Sequence, residues 1–399
     1  MNKKIAVALV ILITFFCAGN LLYAQDDTIK QQPHYKIGIF APLYLDSVFT
    51  KNIFRYRQGI PRFIAPAVDF INGAQLALDS LGYGDDYIDA SIYDTKSYTE
   101  TVADLIRKKK LDSLQLIIGS VKDAEYLQLA DFALQKNIPF ISVTYPNNAG
   151  ITGNPFLVIM NSTLKTHCAA IYSYILQNHS TDKIYLIRQK GVQEDMVASY
   201  FKEKNEQDNG HPLLQIETIN VNSNLNAAFL KSKLDSNSKN IIIGGSLDET
   251  FANNLAKAAF DISKTYPITL IGMPNWDNFS MLYDKKKLAD FPVYYTTPYY
   301  NEKNDAFSKS LLANYYDKYK GKASDMAFKG FESVFMFTKL LIKDSTGFMN
   351  HINDAGIKVF CEYNFKPVWL KDKASIPDYF ENKHLYLVKI LNGITSKAW

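Results

Sequence analysis

The sequence predicts an α/β protein of two Rossmann-like lobes, each a mostly parallel sheet covered by helices. Three observations carry that reading. Strand and helix patterns alternate from Tyr35 onward, the rhythm restarts after Met160, and 399 residues exceed what one hydrophobic core usually holds.

Tyr35 to Phe40 reads as the first strand. Over 68–81, Phe70, Ile71, Ala74, Ala77, Leu78 and Leu81 recur at helical spacing and make one apolar face. A strand from Tyr87 ends at Tyr93 and Asp94, and the spacing predicts a helix over 98–109. Leu114 to Ile118 is a buried strand closed by Gly119 and Ser120. A helix over 124–135 and strands over 140–143 and 156–160 complete the first set. The second set has helices over 163–177, 192–206, 225–234 and 248–260, with strands over 183–187, 214–220, 240–243 and 269–271. Val293 to Thr296 looks like a return strand, followed by helices over 306–319 and 326–341. At the end, 356–365 and 384–391 alternate like antiparallel strands joined by a Pro-containing loop. Strands alternating with helices of this length imply parallel sheets joined by right-handed crossovers.

The N-terminus has the layout of a cleaved export signal. Lys3 and Lys4 precede an apolar run from Ile5 to Phe16, and small residues lead to Ala24. The run is too short to span a bilayer comfortably. Cys17 raises a lipoprotein site, but bulky Phe16 stands where such sites want a small residue, so cleavage after Ala24 and a periplasmic location are expected. Processing removes Lys3 and Lys4 and no acid, lowering the formal charge from +4 to +2. Near-neutrality without a basic stripe excludes nucleic acid as partner. Arg107 to Lys110 and Lys285 to Lys287 fall at expected helix ends, where cations suit the dipole. Cys168 and Cys361 remain, as a bonded pair or as two buried thiols.

Enzyme motifs are missing. Gly82-Tyr-Gly84 lacks the third glycine of a dinucleotide loop and follows a helix. There is no Gly-x-Ser-x-Gly elbow, and the six histidines (34, 167, 179, 211, 351, 384) lack metal spacing. No catalytic residue, cofactor or metal is expected.

Lys36-Ile-Gly-Ile-Phe-Ala-Pro42 resembles the opening strand of type I periplasmic binding proteins, the leucine/isoleucine/valine-binding branch. Asn72-Gly-Ala-Gln-Leu-Ala-Leu-Asp79 is similar to that family's first helix, and Tyr93-Asp94-Thr95 to its second strand end. Leu116-Ile-Ile-Gly-Ser120, Asn137-Ile-Pro-Phe-Ile-Ser142 and Asn154-Pro-Phe-Leu-Val158 continue the likeness in order. The resemblance implies lobes built from discontinuous segments: 34–160 with 293–345, and 161–292 with 346–399. Hinge crossovers are expected near Met160, 293–297 and 345–357. It further implies a monomer with a ligand cleft between its lobes, which takes a small polar ligand, an amino acid or amide, for a membrane ABC permease. Between Leu43 and Val68 the chain departs from the family with an insert rich in aromatics and bases, including Phe49, Lys51, Phe54, Arg55, Tyr56, Arg57, Arg62 and Phe63. That insert supports a second reading, a cell-envelope sensor or peptidoglycan-associated module not coupled to transport.

Ligands of open parallel sheets sit beyond the carboxyl ends of the strands. That rule selects Tyr44 to Asp46, Asp94 to Lys96, Ser120 to Asp123 and Thr144 to Asn148 in the first lobe. In the second it selects 188–190, Asn222, Ser223, 245–248 and 273–276. The resemblance places carboxylate contacts at Ser120 and Thr144, Ser120 serving equally as a helix cap. An acid for the ligand's ammonium is expected at Asp248, which also fits an N-cap. Trp276 stacks on ligand or packs between lobes. Tyr145, Asn147, Tyr44 and Asp94 complete the expected ligand set, and only one of Tyr294 and Tyr295 can face the cleft.

Overall fold

The computed structural model describes residues 34–57, 59–82, 88–206, 210–221, 224–354, 356, 358–371 and 374–399. The expected export signal, Gly84, Tyr87, Asn222 and Ser223 lie outside the described residues.

Strands β1 (Tyr35–Ala41), β2 (Phe49–Thr50), β3 (Ile53–Phe54), β4 (Ile88–Asp94), β5 (Leu116–Gly119), β6 (Phe140–Ser142) and β7 (Leu157–Ile159) come from the first part of the chain. Helices α1 (Leu45–Val48), α2 (Ala65–Ser80), α3 (Val102–Arg107) and α4 (Asp123–Lys136) lie among them. The second part contributes β8 (Lys183–Gln189), β9 (Ile216–Val221), β10 (Asn240–Gly244), β11 (Ile268–Ile271) and β12 (Val293–Thr297). Its helices are α5 (Leu164–Asn178), α6 (Val192–Glu206), α7 (Ala227–Lys231) and α8 (Glu249–Ile262). Helices α9 (Ala306–Tyr319) and α10 (Asp325–Lys343) follow, then β13 (Phe365–Val368), β14 (Tyr379–Asn382), β15 (Tyr386–Leu391) and β16 (Ile394–Lys397).

Two seven-stranded sheets result, in the orders β13-β14-β7-β6-β5-β1-β4 and β16-β15-β12-β11-β10-β8-β9. Strands β4, β1, β5, β6, β7 and β14 run parallel, as do β9, β8, β10, β11 and β12; β13, β15 and β16 close the edges antiparallel. The central strands are continuous apolar runs because both faces are covered. Ile37, Ile39, Ile117, Ile118, Ile241, Ile242 and Ile243 are all fully buried.

The first lobe is locked by α2 and α10. Their backbones meet where neither carries a side chain: a Cβ on Gly73 would stand 1.9 Å from the Ala327 carbonyl, and one on Gly330 2.0 Å from that of Phe70. Helix α9 joins them, with Tyr315 Oη donating to Asp69 at 2.5 Å and Lys318 paired to Asp79 at 2.5 Å.

The strand pairing corrects the expected lobe boundaries. Val293–Thr297 lies beside β11 in the second sheet, whereas 365–368 and 379–382 belong to the first sheet. The chain therefore crosses between sheets at 160–163, at 298–305 and at 383–385, and not at 345–357. Of the expected strand over 356–365 only Phe365, where β13 begins, is in a strand among the described residues. The buried Glu332 carboxylate accepts the Phe360 and Cys361 amides at 2.7 and 2.8 Å, taking donors that a sheet ladder needs.

The first and third crossovers are tied together. Glu381, 1% exposed at the end of β14, accepts the Thr163 amide (2.7 Å), the Thr163 and Thr166 hydroxyls (2.8 and 2.7 Å) and the Lys383 ammonium (2.5 Å). Burial alone raises this carboxyl's pKa, but Lys383 and the hydroxyl donors outweigh it and hold the group below its ordinary value. Ser162 Oγ donates to the Asn382 carbonyl at 2.6 Å. Cys168 and Cys361 are two buried free thiols, so the question of a bond between them is closed.

Candidate functional site

The carboxyl ends of β1, β4, β5 and β6 form one wall. Ser120 follows β5 and Thr144 follows β6, and register brings their hydroxyls to 3.0 Å of each other. The cap reading of Ser120 fails, because α4 begins at Asp123 and its N-cap position is Lys122, with no side-chain cap bond. Two crossover residues hold this wall. Asn161 Nδ2 donates to the Thr144 carbonyl at 2.8 Å, and Tyr299 Oη donates to that of Val143. Tyr145 packs edge-on against buried Tyr126 at 5.0 Å, half-buried rather than standing free. Asn147 is exposed and accepts the Ala149 amide at 2.7 Å in a local turn.

Asp94 has another task than ligand contact. Its carboxylate accepts the amides of Leu43 (2.9 Å), Tyr44 (3.0 Å), Leu45 (2.7 Å) and Lys96 (2.9 Å), which occupies its acceptor sites. Tyr44, thereby fixed in a left-handed conformation (φ 53°), meets the Phe63 ring edge-on at 5.5 Å. From these residues the insert rises as a two-stranded hairpin, β2–β3, on the cleft side of the lobe.

The facing wall comes from β8, β10, β11 and their loops. Ser246 Oγ donates to buried Glu194 at 2.7 Å, with Gln189 Nε2 3.3 Å from Ser246. Asp248 is an exposed N-cap accepting the Phe251 amide at 2.7 Å, so its helix claims it. Trp276 is fully buried: its Nε1 donates to the Ser246 carbonyl at 2.9 Å and its ring fills the space left by Gly244 and Gly272. The indole is a core residue of the second lobe, not a ligand platform. Of the tyrosine pair, Tyr295 is the buried one.

Asp277, next to Trp276, carries a second carboxylate in the loop after β11. It sits in the turn Pro274–Asn278 with Asn278 Nδ2 as its side-chain donor. Burial pushes its carboxyl up to about 6, against the pull of Lys329 and assisted by Asp325. Lys329 lies on α10 of the other lobe, its ammonium 4.3 Å from the Tyr299 ring centroid, and burial lowers its pKa. Each of these charges favours the ionised form of the other, although no ion pair joins them. Sequence reasoning passed over both, as it did Glu194, because a charge on an amphipathic helix or turn reads as solvated surface.

A cavity of about 300 Å³ opens beside the first wall, lined by Thr95, Lys96, Ser97, Thr101, Glu125 and Gln128, with Lys96 and Glu125 paired at 2.9 Å. A larger one of about 430 Å³, lined by Lys239, Pro267, Ile268 and Pro292, lies at the amino ends of β10–β12, the opposite end from the ligand loops. Among the described residues no three His, Cys, Asp or Glu side chains cluster as metal ligands, and no helix is long and apolar enough to cross a membrane.

The family profile for periplasmic binding proteins matches residues 65–349. The chain belongs to the type I periplasmic binding protein family. Solved structures of this fold superpose over most of its length. A putative branched-chain amino acid ABC transporter protein from Rhodospirillum rubrum is 12% identical, covers 92% of this chain and 100% of its own, and has a TM-score of 0.64. An ABC transporter substrate-binding protein from Desulfitobacterium hafniense, solved with Leu, is 12% identical over 92% and 100%, at 0.58. A leucine binding protein from Thermotoga maritima is 14% identical over 92% and 98%, at 0.52. At such identities the likeness is one of fold. No curated protein matches the chain in sequence. As a periplasmic binding protein it has the expected two-lobe α/β architecture, with the three sheet-to-sheet crossings as its hinge.

Proposed function

We infer that this periplasmic binding protein is exported, captures a small polar solute of the amino-acid or amide class between its lobes, and delivers it to a membrane ABC importer without chemical change. The observation that carries the reading is the Ser120–Thr144 hydroxyl pair, held by crossover residues at the strand ends where an anion meets fixed donors. The ligand's carboxylate is assigned to Ser120 and Thr144. Its ammonium is assigned to Asp277, because Asp248 is committed to its helix. Tyr44 and Phe63 supply an aromatic flank. Selectivity follows from closure: only a ligand touching both walls stabilises the closed state over the open one.

The test is a thermal-shift screen over the amino acids and their amides, followed by calorimetric titration of any positive. A ligand at 100 times its dissociation constant adds about 2.7 kcal/mol of stability, well within reach of the measurement. A flat response across the panel overturns the amino-acid reading.

A further inference from the structure

The insert over 45–63 exposes a large apolar surface on a fold that has no packing use for it. Ile53 is 71% exposed, Ile60 56%, Phe63 53%, Leu45 44%, Tyr56 41% and Phe49 39%. The rings form a chain rather than a core: Phe49 to Phe54 at 5.4 Å, Phe54 to Tyr56 at 5.8 Å, Tyr56 to Phe63 at 6.4 Å.

Charge says what covers it. From Ser47 to Val68 there is no acid, while Lys51, Arg55, Arg57 and Arg62 all lie exposed and none joins an ion pair among the described residues. The processed chain carries a formal +2, so these four cations exceed its whole net charge; the rest of the molecule is slightly acidic and the positive field is concentrated here. Exposed aliphatic and aromatic side chains among unpaired bases are the composition that inserts shallowly at a lipid surface, rings and methyls among the acyl ends and cations on headgroups. A carbohydrate surface offers stacking for the rings but nothing for Ile53 and Ile60.

We propose that the hairpin docks the protein on an anionic lipid surface through Phe49, Ile53 and Tyr56 with Lys51, Arg55 and Arg57. Docking is independent of ligand. Because the hairpin leaves the carboxyl end of β1, beside the Ser120 wall, it turns the rim of the cleft toward the bilayer.

The experiment uses the exported protein carrying Ile53→Cys, labelled with nitrobenzoxadiazole; Cys168 and Cys361 are buried and leave the label to the hairpin. Vesicles of phosphatidylcholine doped with phosphatidylglycerol are expected to shift the emission to the blue, and pure phosphatidylcholine is not. Adding Arg55→Ala and Arg57→Ala is expected to weaken vesicle affinity roughly 25-fold, about fivefold per cation. High salt is expected to reverse binding. An unchanged melting temperature shows that these exposed substitutions leave the fold intact. A silent probe on anionic vesicles overturns the proposal, as does undiminished binding without the two arginines. Emission that responds to soluble peptidoglycan fragments and not to vesicles overturns it too, and assigns the surface to the cell wall.

Discussion

Asp46 and Asp94 hold each other's loops. Asp94, ending β4, accepts the amides of Leu43, Tyr44 and Leu45 at the base of the insert. Asp46, within the insert, accepts Ser97 Oγ (2.7 Å), the Tyr98 and Thr99 amides (2.9 and 3.1 Å) and Thr99 Oγ1 (3.0 Å) just beyond β4. A two-stranded hairpin is marginal in isolation, and this reciprocal clasp roots it.

Asp94→Ala leaves three loop amides and that of Lys96 without their shared acceptor. With charged hydrogen bonds worth about 1.5–3 kcal/mol each and water replacing some, a loss of roughly 2–4 kcal/mol is expected. Urea denaturation measures it. Limited proteolysis is expected to move to Lys51–Arg57; an unchanged digestion pattern counts against the clasp.

Glu381 and Lys383 join the first and third crossovers. Lys383→Met leaves a buried carboxylate without its cation, and breaking such a pair costs about 3–5 kcal/mol. The folded pKa of Glu381 is depressed, so its contribution is present above the unfolded carboxyl value and is lost as pH falls through the folded one. Glu381→Gln is therefore expected to flatten the acid limb of stability against pH.

His167 titrates in a second window. Its Nδ1 lies 2.8 Å from Thr296 Oγ1, and burial lowers its pKa to about 4. As pH falls below about 6.5 the unfolded chain takes up a proton that the folded one refuses. Stability is lost between 6.5 and 4, by about 3 kcal/mol. Melting temperatures of wild type and His167→Gln across that range check this; parallel curves contradict it.

Gly330→Ala forces a methyl into the Phe70 carbonyl, and α2 and α10 must separate. A loss of about 3 kcal/mol is expected, at the upper end for overpacking. Gly321→Ala, whose added Cβ meets only ordinary contacts at 3.8 Å and beyond, serves as the control expected to stay within about 0.5 kcal/mol.

Ser120→Ala with Thr144→Val removes the hydroxyl pair. Ligand affinity is expected to fall about 30–150-fold, at 1–1.5 kcal/mol for each of two lost bonds, with little change in the unliganded melt. Calorimetry on the ligand from the screen reads it. Equal affinity removes these residues from the site.

Period-2 and period-3.6 patterns are local, so the alternation of strands and helices and the restart after Met160 were legible in the sequence. Loop positions follow from that order, which is why Ser120 and Thr144 were found together. Sequence by itself also determined the insert's composition, aromatic, basic and without acid. Tertiary structure alone decided which sheet receives a late strand, since β12 and β14 look alike until each meets its neighbour. It also decided side-chain roles that depend on partners distant in sequence. Trp276 is a core residue because Gly244 and Gly272 leave room for its ring. Asp94 is a loop anchor because Leu43 to Leu45 turn their amides toward it. Asp277 and Lys329, 52 positions apart in sequence, influence each other's ionisation only through the folded arrangement of a turn and a helix. Burial and pairing are properties of three-dimensional neighbourhoods, and spacing along the chain does not carry them.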